Sequence, residues 1–487
     1  MTCYYISSNN PQSHFIEIEV KVATRGAGKL HFQLPSWRPG RYELANYAQN
    51  IQRWNVYGRQ ENALAFRKLN KDLWEVNCEG KEEVTVRYTY YANQLDAGAS
   101  YVDGTQLYIN PVNCCIYVPE RILEPCSLNV DVPEGYEIAT ALNFKNNTAQ
   151  IKDYHQLADS PFIASAVLQH ETYSIGEYLF HIWIKGNARP DWKRVIKDFK
   201  GFTQSHIELF GELPVKEYHF LFQLTPHSFY HGVEHLDSTV ICIGPGHRLM
   251  EPDIYTEFLG VSSHELFHSW NVKSIRPMEM FPYDYTKENY TKLGYVTEGL
   301  TTYYGDLMLI RGGVFDWSGF QRELNKFLSR YYENEGRQYM SLAYSSFDTW
   351  LDGYKPGVPD RKISMYIKGA LVGIMKDLII RKNTENGRSL DDVMRSLYTG
   401  HAKQKKGYSE VEYIKLLQSH AECLPERFFE RFVDGLDPLE ESLPELLEYV
   451  GLHLIKSPSA DIGESKYGFK YKSEPGKTTI LNVASGS

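Results

Sequence analysis

The 487-residue sequence predicts a multidomain α+β protein with an N-terminal all-β domain of sandwich type, an α+β domain, an α-helical domain and a β tail. The chain is too long for one ordinary hydrophobic core. Apolar and polar residues alternate in its first third, as in His14 to Val22 and Glu83 to Tyr91, which is typical of strands. From Asp253 onward the apolar spacing becomes helical.

The order of these patterns along the chain predicts the domain boundaries. Strand-like runs separated by turn signals such as Pro39-Gly40 and Pro133-Glu134-Gly135 favour an all-β domain over residues 1–167. Strand-like runs at 178–184 and 217–223 flank a helical 191–210. Helices are then predicted at 253–273, 291–311, 317–333, 364–382, 389–398 and 408–420. The sequence therefore predicts an α+β domain over residues 168–316 and an α-helical domain over residues 317–450.

The end of the chain changes character again. Lys466 to Val483 has the pattern of two or three short strands around a Glu474-Pro475-Gly476 turn, and Ala484 to Ser487 follow it. Fewer than forty residues rarely form an independent β domain. We expect residues 451–487 either to pack on their neighbour or to begin a domain that continues in a longer protein.

Composition restricts the class of protein. Hydrophobic residues make up 42% of the chain and charged residues 23%, which is typical of a globular protein. The net charge of −9, without a basic block, argues against a nucleic-acid partner. The seven cysteines are scattered and have no CxxC spacing, which favours reduced thiols. Since neither a secretory signal nor an apolar membrane span is evident, we expect a cytoplasmic protein without a membrane partner.

The most informative motif is His264-Glu265-Leu266-Phe267-His268. Residues four apart lie on one face of a helix, so both imidazoles can bind one ion. Glu265 projects about 100° further round the helix, where it can take a proton from a metal-bound water. Two histidines leave a catalytic zinc one protein ligand short. Glu298, near the start of the next predicted helix, is the candidate for the third ligand.

The sequence around this motif resembles the glycyl aminopeptidase family of gluzincin zinc metallopeptidases, which carry a C-terminal PDZ domain. The resemblance covers His264 to Pro277, Phe281 to Tyr285, Glu288 to Thr291 and the Glu298 to Thr301 segment. Upstream it covers Leu34 to Tyr42 and Asp159 to Phe162. It implies a thermolysin-like catalytic domain, a single Zn²⁺ held by His264, His268 and Glu298, and a tail that is the start of a PDZ-like domain.

The resemblance also implies roles for residues outside the metal site. Tyr366, in Tyr366-Ile367-Lys368-Gly369, corresponds to a tyrosine that donates a hydrogen bond to the oxyanion. Glu234, in His231-Gly232-Val233-Glu234-His235, corresponds to the glutamate that binds the free α-amino group of a substrate. The backbone at Gly232 lines the substrate cleft. His231 departs from the family pattern; its ring could narrow the cleft or add a titrating group, and its role is left open.

These residues predict a metallo-aminopeptidase that acts on peptides with a free N-terminus. Glu265 would be the general base, Tyr366 would stabilise the oxyanion and Glu234 would hold the amine. The family resemblance implies a preference for N-terminal Gly or Ala. Two alternatives stay open: a zinc endopeptidase with the same metal site, and a non-catalytic peptide-binding protein on the same fold.

Overall fold

The computed structural model describes residues 1–352, 354, 358, 360–474 and 476–483. Pro475 of the predicted turn and the tail residues Ala484 to Ser487 lie outside the described residues. The protein is a multidomain α+β structure with a β-rich N-terminal domain and a helical C-terminal region, which confirms that part of the predicted fold class.

Strands dominate the N-terminal part of the described chain. A large sheet runs in the order β12-β13-β10-β1-β2-β7-β4, and smaller sheets run β11-β14-β9-β8 and β3-β6-β5. Alternate residues of β2 are buried, as the sequence pattern predicts. The strands are β1 (Thr2–Ser7), β2 (Phe15–Ala23), β3 (Lys29–Gln33), β4 (Ile51–Gly58), β5 (Phe66–Lys68), β6 (Leu73–Asn77), β7 (Glu83–Tyr91), β8 (Tyr101–Asp103), β9 (Gln106–Ile109), β10 (Cys126–Val130), β11 (Glu137–Ala139), β12 (Phe144–Lys145), β13 (Thr148–Ile151) and β14 (Phe162–Ser165), with short helices α1 (Pro111–Cys114) and α2 (Tyr154–Ala158).

A mixed sheet follows, in the order β15-β16-β17-β19-β18. Its strands are β15 (Gln169–Ile175), β16 (Tyr178–Lys185), β17 (Glu217–Leu224), β18 (Phe229–Glu234) and β19 (Ser238–Gly244). Helix α3 (Trp192–Phe210) connects the parallel strands β16 and β17, and α4 (Pro252–Phe267) follows β19. One face of the sheet packs on these helices, whereas Val233 and Val240 on the other face pack on Ala97 and Tyr108 of the N-terminal domain. The antiparallel strand β18 is at the edge, beside the site described below.

Helices form most of the chain after residue 294. A π-helical turn (Tyr295–Gly299) leads into α5, and α9 is buried along most of its length. The helices are α5 (Leu300–Arg311), α6 (Trp317–Tyr332), α7 (Leu342–Phe347), α8 (Thr349–Asp352), α9 (Met365–Asn383), α10 (Leu390–Leu397), α11 (Glu410–Ala421), α12 (Phe428–Phe432) and α13 (Leu443–Glu448), with a second π-helical turn at Tyr398–Ala402.

Two predicted helices differ from the structure at their ends. The first ends at Phe267 instead of residue 273, because the chain there leaves the α-helical hydrogen-bond pattern. The helix predicted from residue 291 begins at Tyr295, and its first turn is π-helical. Both differences lie at the candidate metal site.

The tail forms a short helix, α14 (Ile462–Tyr467), and a two-stranded antiparallel sheet of β20 (Phe469–Glu474) and β21 (Lys477–Val483). Its contact with the rest of the protein includes an ion pair between Lys470 and Glu333. The assignment of this tail to a PDZ-like domain stays a prediction, as do the domain boundaries at residues 167, 316 and 450. Among the described residues, no helix is long and apolar enough to cross a membrane.

Candidate metal centre and substrate cleft

His264 and His268 converge at the C-terminal end of α4. Their Nε2 atoms are 3.2 Å apart. Nδ1 of His268 lies 2.6 Å from the backbone oxygen of Asn271, so a neutral His268 that donates this bond keeps Nε2 free as a ligand. The predicted placement of both rings on one side of the helix therefore agrees with the structure.

Glu298 completes this cluster from the π-helical turn. Its Oε2 is 3.5 Å from Nε2 of His268 and 3.9 Å from Nε2 of His264. The three ligand atoms lie within 4.8 Å of one another, and two nitrogens with a carboxylate are donors that Zn²⁺ prefers. A π-helical turn inside a helix is often found at functional sites, and here it carries the third predicted ligand.

Asn271 joins the two elements that carry the metal-binding residues. Its side-chain amide donates to the backbone oxygens of Val296 (2.9 Å) and Thr297 (3.3 Å). Its own backbone oxygen faces Nδ1 of His268. The sequence alone predicts no role for Asn271, although the residue lies within the run that carries the family resemblance.

Two further carboxylates lie beside the cluster. Ligand atoms of Glu234, Glu265 and His268 are within 4.8 Å of one another. A Cβ added at Gly232 would lie 2.2 Å from Oε1 of Glu265, so only glycine leaves room for this carboxylate beside β18. Oε1 of Glu234 and Oε2 of Glu265 are buried, and neither has a hydrogen-bond partner among the described residues. The site therefore holds two buried carboxyl oxygens that can form a hydrogen bond with a ligand.

Tyr366 lies at the start of α9. Its hydroxyl is 3.1 Å from the hydroxyl of Tyr354, and after burial Glu298 is the charge that most raises the pKa of Tyr366. The phenol thus stays protonated and is near the metal-binding residues. A Cβ added at Gly299 would lie 2.6 Å from Cα of Gly369, so this glycine pair lets α9 approach the π-helical turn closely.

Burial and charge decide the protonation of the cluster. Burial lowers the pKa of His264 to about 3, so this imidazole is neutral. Burial opposes charge on His268 too, but the adjacent Glu298 and Glu234 raise the pKa of His268 to about 10. Burial raises the pKa of Glu265 to about 8. The excess of carboxylates around His268 favours a cation, and a divalent metal would take the place of its proton.

The N-terminal domain reaches this cluster directly. The Tyr42 hydroxyl donates to Oε1 of Glu298 at 2.8 Å, and a Cβ added at Gly40 would lie 2.2 Å from Oε2 of Glu234. Gly40 has a φ of +82°, a conformation that glycine adopts without strain. The sequence alone predicts no role for Tyr42, because its contact with Glu298 joins residues 256 positions apart.

His231 lies where β18 meets the N-terminal domain. Successive side chains on β18 point to opposite faces, and Nδ1 of His231 lies 3.8 Å from Oδ1 of Asp96 in the N-terminal domain. Burial, together with nearby Arg38, lowers the pKa of His231 to about 4, so the ring is neutral near pH 7. It therefore packs against the N-terminal domain, on the opposite face of β18 from the metal-binding residues.

A polar network fixes the turn after β18. Asp159 of the N-terminal domain accepts from Nζ of Lys273 at 2.7 Å and from the backbone nitrogen of Leu236 at 3.0 Å. Nδ1 of His235 is 3.0 Å from the same carboxylate. These bonds position the residues that follow Glu234. They also give the His235 ring a partner in Asp159, so its burial is explained without a role as a metal ligand.

A second cluster contains His181, Glu217 and His219. Its two imidazoles stack face to face, with centroids 4.1 Å apart and planes 2° apart, so their in-plane lone pairs do not converge on one point. The Trp183 indole donates to Nδ1 of His219 at 3.2 Å, which leaves the proton of the neutral ring on Nε2. We describe this cluster as an aromatic stack.

Comparisons with known proteins identify two family domains. The model of the peptidase M61 N-terminal domain matches residues 3–166, and that of the M61 glycyl aminopeptidase matches residues 257–372. The second match contains both histidines, Glu265, Glu298 and Tyr366. No significantly similar curated protein is found.

Solved structures show the same fold. The structure of an aminopeptidase N family protein from Idiomarina loihiensis has a TM-score of 0.93 and 26% sequence identity, over 100% of this chain and 86% of that one. An M1 zinc metallopeptidase from Deinococcus radiodurans has a TM-score of 0.51 and 13% identity, over 90% of this chain and 94% of that one. The second likeness concerns the fold alone.

Proposed function

We propose that this chain, which carries two domains of the M61 peptidase family, is a zinc-dependent aminopeptidase that removes a small N-terminal residue, Gly or Ala. The observation that carries the proposal is the position of Glu234. Its Oε1 is buried and has no hydrogen-bond partner in the described part of the chain, and the ligand atoms of Glu234, Glu265 and His268 lie within 4.8 Å of one another. A buried carboxylate beside a metal site is suited to bind the ammonium group of a substrate.

His264, His268 and Glu298 would hold one Zn²⁺. When bound, zinc supplies Lewis acidity: it polarises the scissile carbonyl and lowers the pKa of a bound water. These three side chains fit that task because they offer two imidazole nitrogens and one carboxylate in a buried cluster, with the metal in place of the proton on His268.

Glu265 is the proposed general base and then general acid. Its carboxylate would accept a proton from the attacking water and deliver it to the leaving amine. Gly232 leaves space for that carboxylate on one side, and Oε2 has no partner among the described residues. The side chain is therefore free to exchange a proton with a reactant.

Tyr366 and Glu234 would each act on a different part of the substrate. The Tyr366 phenol would donate to the oxygen that becomes negative in the transition state. Glu234 would bind the free amine and thereby present only the first peptide bond to Glu265. The nearby backbone of Gly232 would line the cleft along β18.

The test is a panel of Gly-, Ala-, Leu- and N-acetyl-Gly-amide substrates, assayed with and without a chelator, with the zinc content measured in parallel. We expect about one zinc per chain, cleavage of Gly and Ala amides that the chelator abolishes, and little cleavage of the acetylated substrate. Equal cleavage of free and acetylated substrates would identify an endopeptidase. Absence of bound zinc and of hydrolysis would support the peptide-binding alternative.

A further inference from the structure

A segment of the N-terminal domain, Ser36 to Tyr42, forms part of the wall of the candidate metal site. It is fixed to the chain after α4 by two hydrogen bonds: the Ser36 backbone nitrogen donates to Tyr285 (2.8 Å), and the Trp37 indole donates to the backbone oxygen of Asp284 (2.7 Å). Tyr42, at the end of the segment, is 4% exposed. Its hydroxyl therefore approaches the site from a firmly held backbone.

The Tyr42 hydroxyl binds one of the two carboxylate oxygens of Glu298 and leaves the other to the histidines. It donates to Oε1 at 2.8 Å, and this bond is buried. Oε2 faces the histidines instead, 3.5 Å from His268 and 3.9 Å from His264. Oε2 is thus the oxygen of the carboxylate that lies nearest the two imidazoles.

Aromatic packing holds the Tyr42 ring in place. Its ring meets that of Trp350 edge-on with centroids 5.8 Å apart, and Trp350 in turn meets Trp37 edge-on at 4.9 Å. Trp37 and Trp350 are both buried. Since the large Trp350 ring lies against Tyr42 and is itself packed on Trp37, the hydroxyl has little freedom to leave Glu298.

We propose that Tyr42 is a positioning residue that fixes Glu298 for metal binding through Oε2 alone, so that the metal site is shared between the N-terminal domain and the helical part of the chain. The inference rests on the proposed function, since it concerns the same zinc. Residues that hydrogen-bond to metal ligands orient them, and their loss typically weakens metal affinity by about 10- to 100-fold.

The test is a zinc affinity measurement by chelator competition on the full-length wild type, Tyr42→Phe and Tyr4→Phe. Tyr4 is the matched control because it is equally buried in the N-terminal domain and donates to a backbone oxygen, that of Ile116, at 2.9 Å. We expect the zinc Kd of Tyr42→Phe to rise by about 10- to 100-fold and that of Tyr4→Phe to stay within about twofold of wild type. Melting temperatures of the apo proteins show that both variants fold.

A second readout is the d–d absorption of the Co²⁺-substituted proteins. Without the Tyr42 bond, Oε1 of Glu298 can also approach the metal, and an added oxygen ligand should weaken these bands in Tyr42→Phe but not in Tyr4→Phe. An unchanged Kd together with an unchanged Co²⁺ spectrum in Tyr42→Phe would overturn the inference and leave the proposed function intact. A wild type that binds no zinc would overturn both.

Discussion

At the scale of single residues, the chemistry of the site depends on side chains and glycines that meet across different elements. His264, Glu265 and His268 were predictable because helical spacing alone brings them together. The role of Gly232 in seating Glu265 was not, because it arises from a contact between strand β18 and helix α4. Local spacing carries no information on such contacts.

The substitution Gly232→Ala tests that contact. The new Cβ would overlap Oε1 of Glu265 and displace the proposed base, so we expect kcat to fall by at least about 100-fold while zinc binding is retained. Steady-state kinetics and zinc content check this result.

Gly260→Ala is the matched control, because Gly260 lies on the same helix as Glu265 and a Cβ there meets nothing within 4 Å. It should keep full activity and stabilise the helix by about 0.5–1 kcal/mol. Full activity in Gly232→Ala would show that Glu265 is not the base or is not held against β18.

At the scale of elements, the end of α4 and the π-helical turn form one unit. Helix α4 was predicted to run to residue 273, but it ends at Phe267, and the chain then bends so that Asn271 reaches the turn that carries Glu298. Periodicity predicted that both helices exist. It could not predict where they end, because the ends are set by hydrogen bonds between residues 25 or more positions apart.

The substitution Asn271→Asp tests this link. It removes the two donors to Val296 and Thr297 and sets a carboxylate against their carbonyl oxygens. We expect the free energy of unfolding to fall by about 2–3 kcal/mol and the zinc affinity to weaken, since the ligands on α4 and on the turn lose their alignment.

Thermal unfolding and chelator competition measure these two effects. The control is Asn55→Asp, an exposed amide of the N-terminal domain, which should change neither quantity. Unchanged zinc affinity in a destabilised Asn271→Asp protein would show that Asn271 supports the fold but not the metal site.

At the scale of the whole molecule, the succession of β-rich and helical parts followed from hydrophobic periodicity, whereas the contacts between these parts did not. The proposed site is bounded by the N-terminal domain through Tyr42 and Gly40 and by α9 through Tyr366. The resemblance included the segments that hold these residues, but the sequence offers no local signal for their meeting.

The helical part also contains a buried amine that does not belong to the site. Lys376 on α9 is 0% exposed, its Nζ is 3.2 Å from the Tyr413 hydroxyl and 4.5 Å from the Tyr295 ring centroid, and burial lowers its pKa to about 7. An unfolded lysine keeps its proton up to about pH 10.4, so between pH 7 and that value the unfolded state binds more protons. The contribution of Lys376 to the free energy of unfolding of the wild type therefore rises with pH over that interval.

The substitution Lys376→Met should stabilise the protein at pH 7 by on the order of 2 kcal/mol, and the gain should shrink by pH 9. Melting temperatures of wild type and variant at the two pH values test this. Lys200→Met, at an exposed position on α3, should show no such pH dependence. A gain of the same size at both pH values would mean that Lys376 does not titrate in this interval.

The central claim, that Glu234 makes this site an aminopeptidase, is tested most directly by the ratio of kcat/KM for Gly-amide and N-acetyl-Gly-amide substrates in wild type and Glu234→Gln. For wild type we predict a ratio of at least about 100, because the acetylated substrate cannot form the buried charge-assisted bond to Glu234. For Glu234→Gln, with zinc retained, we predict a ratio near one. A wild-type ratio near one, or a large ratio that persists in Glu234→Gln, would contradict the claim.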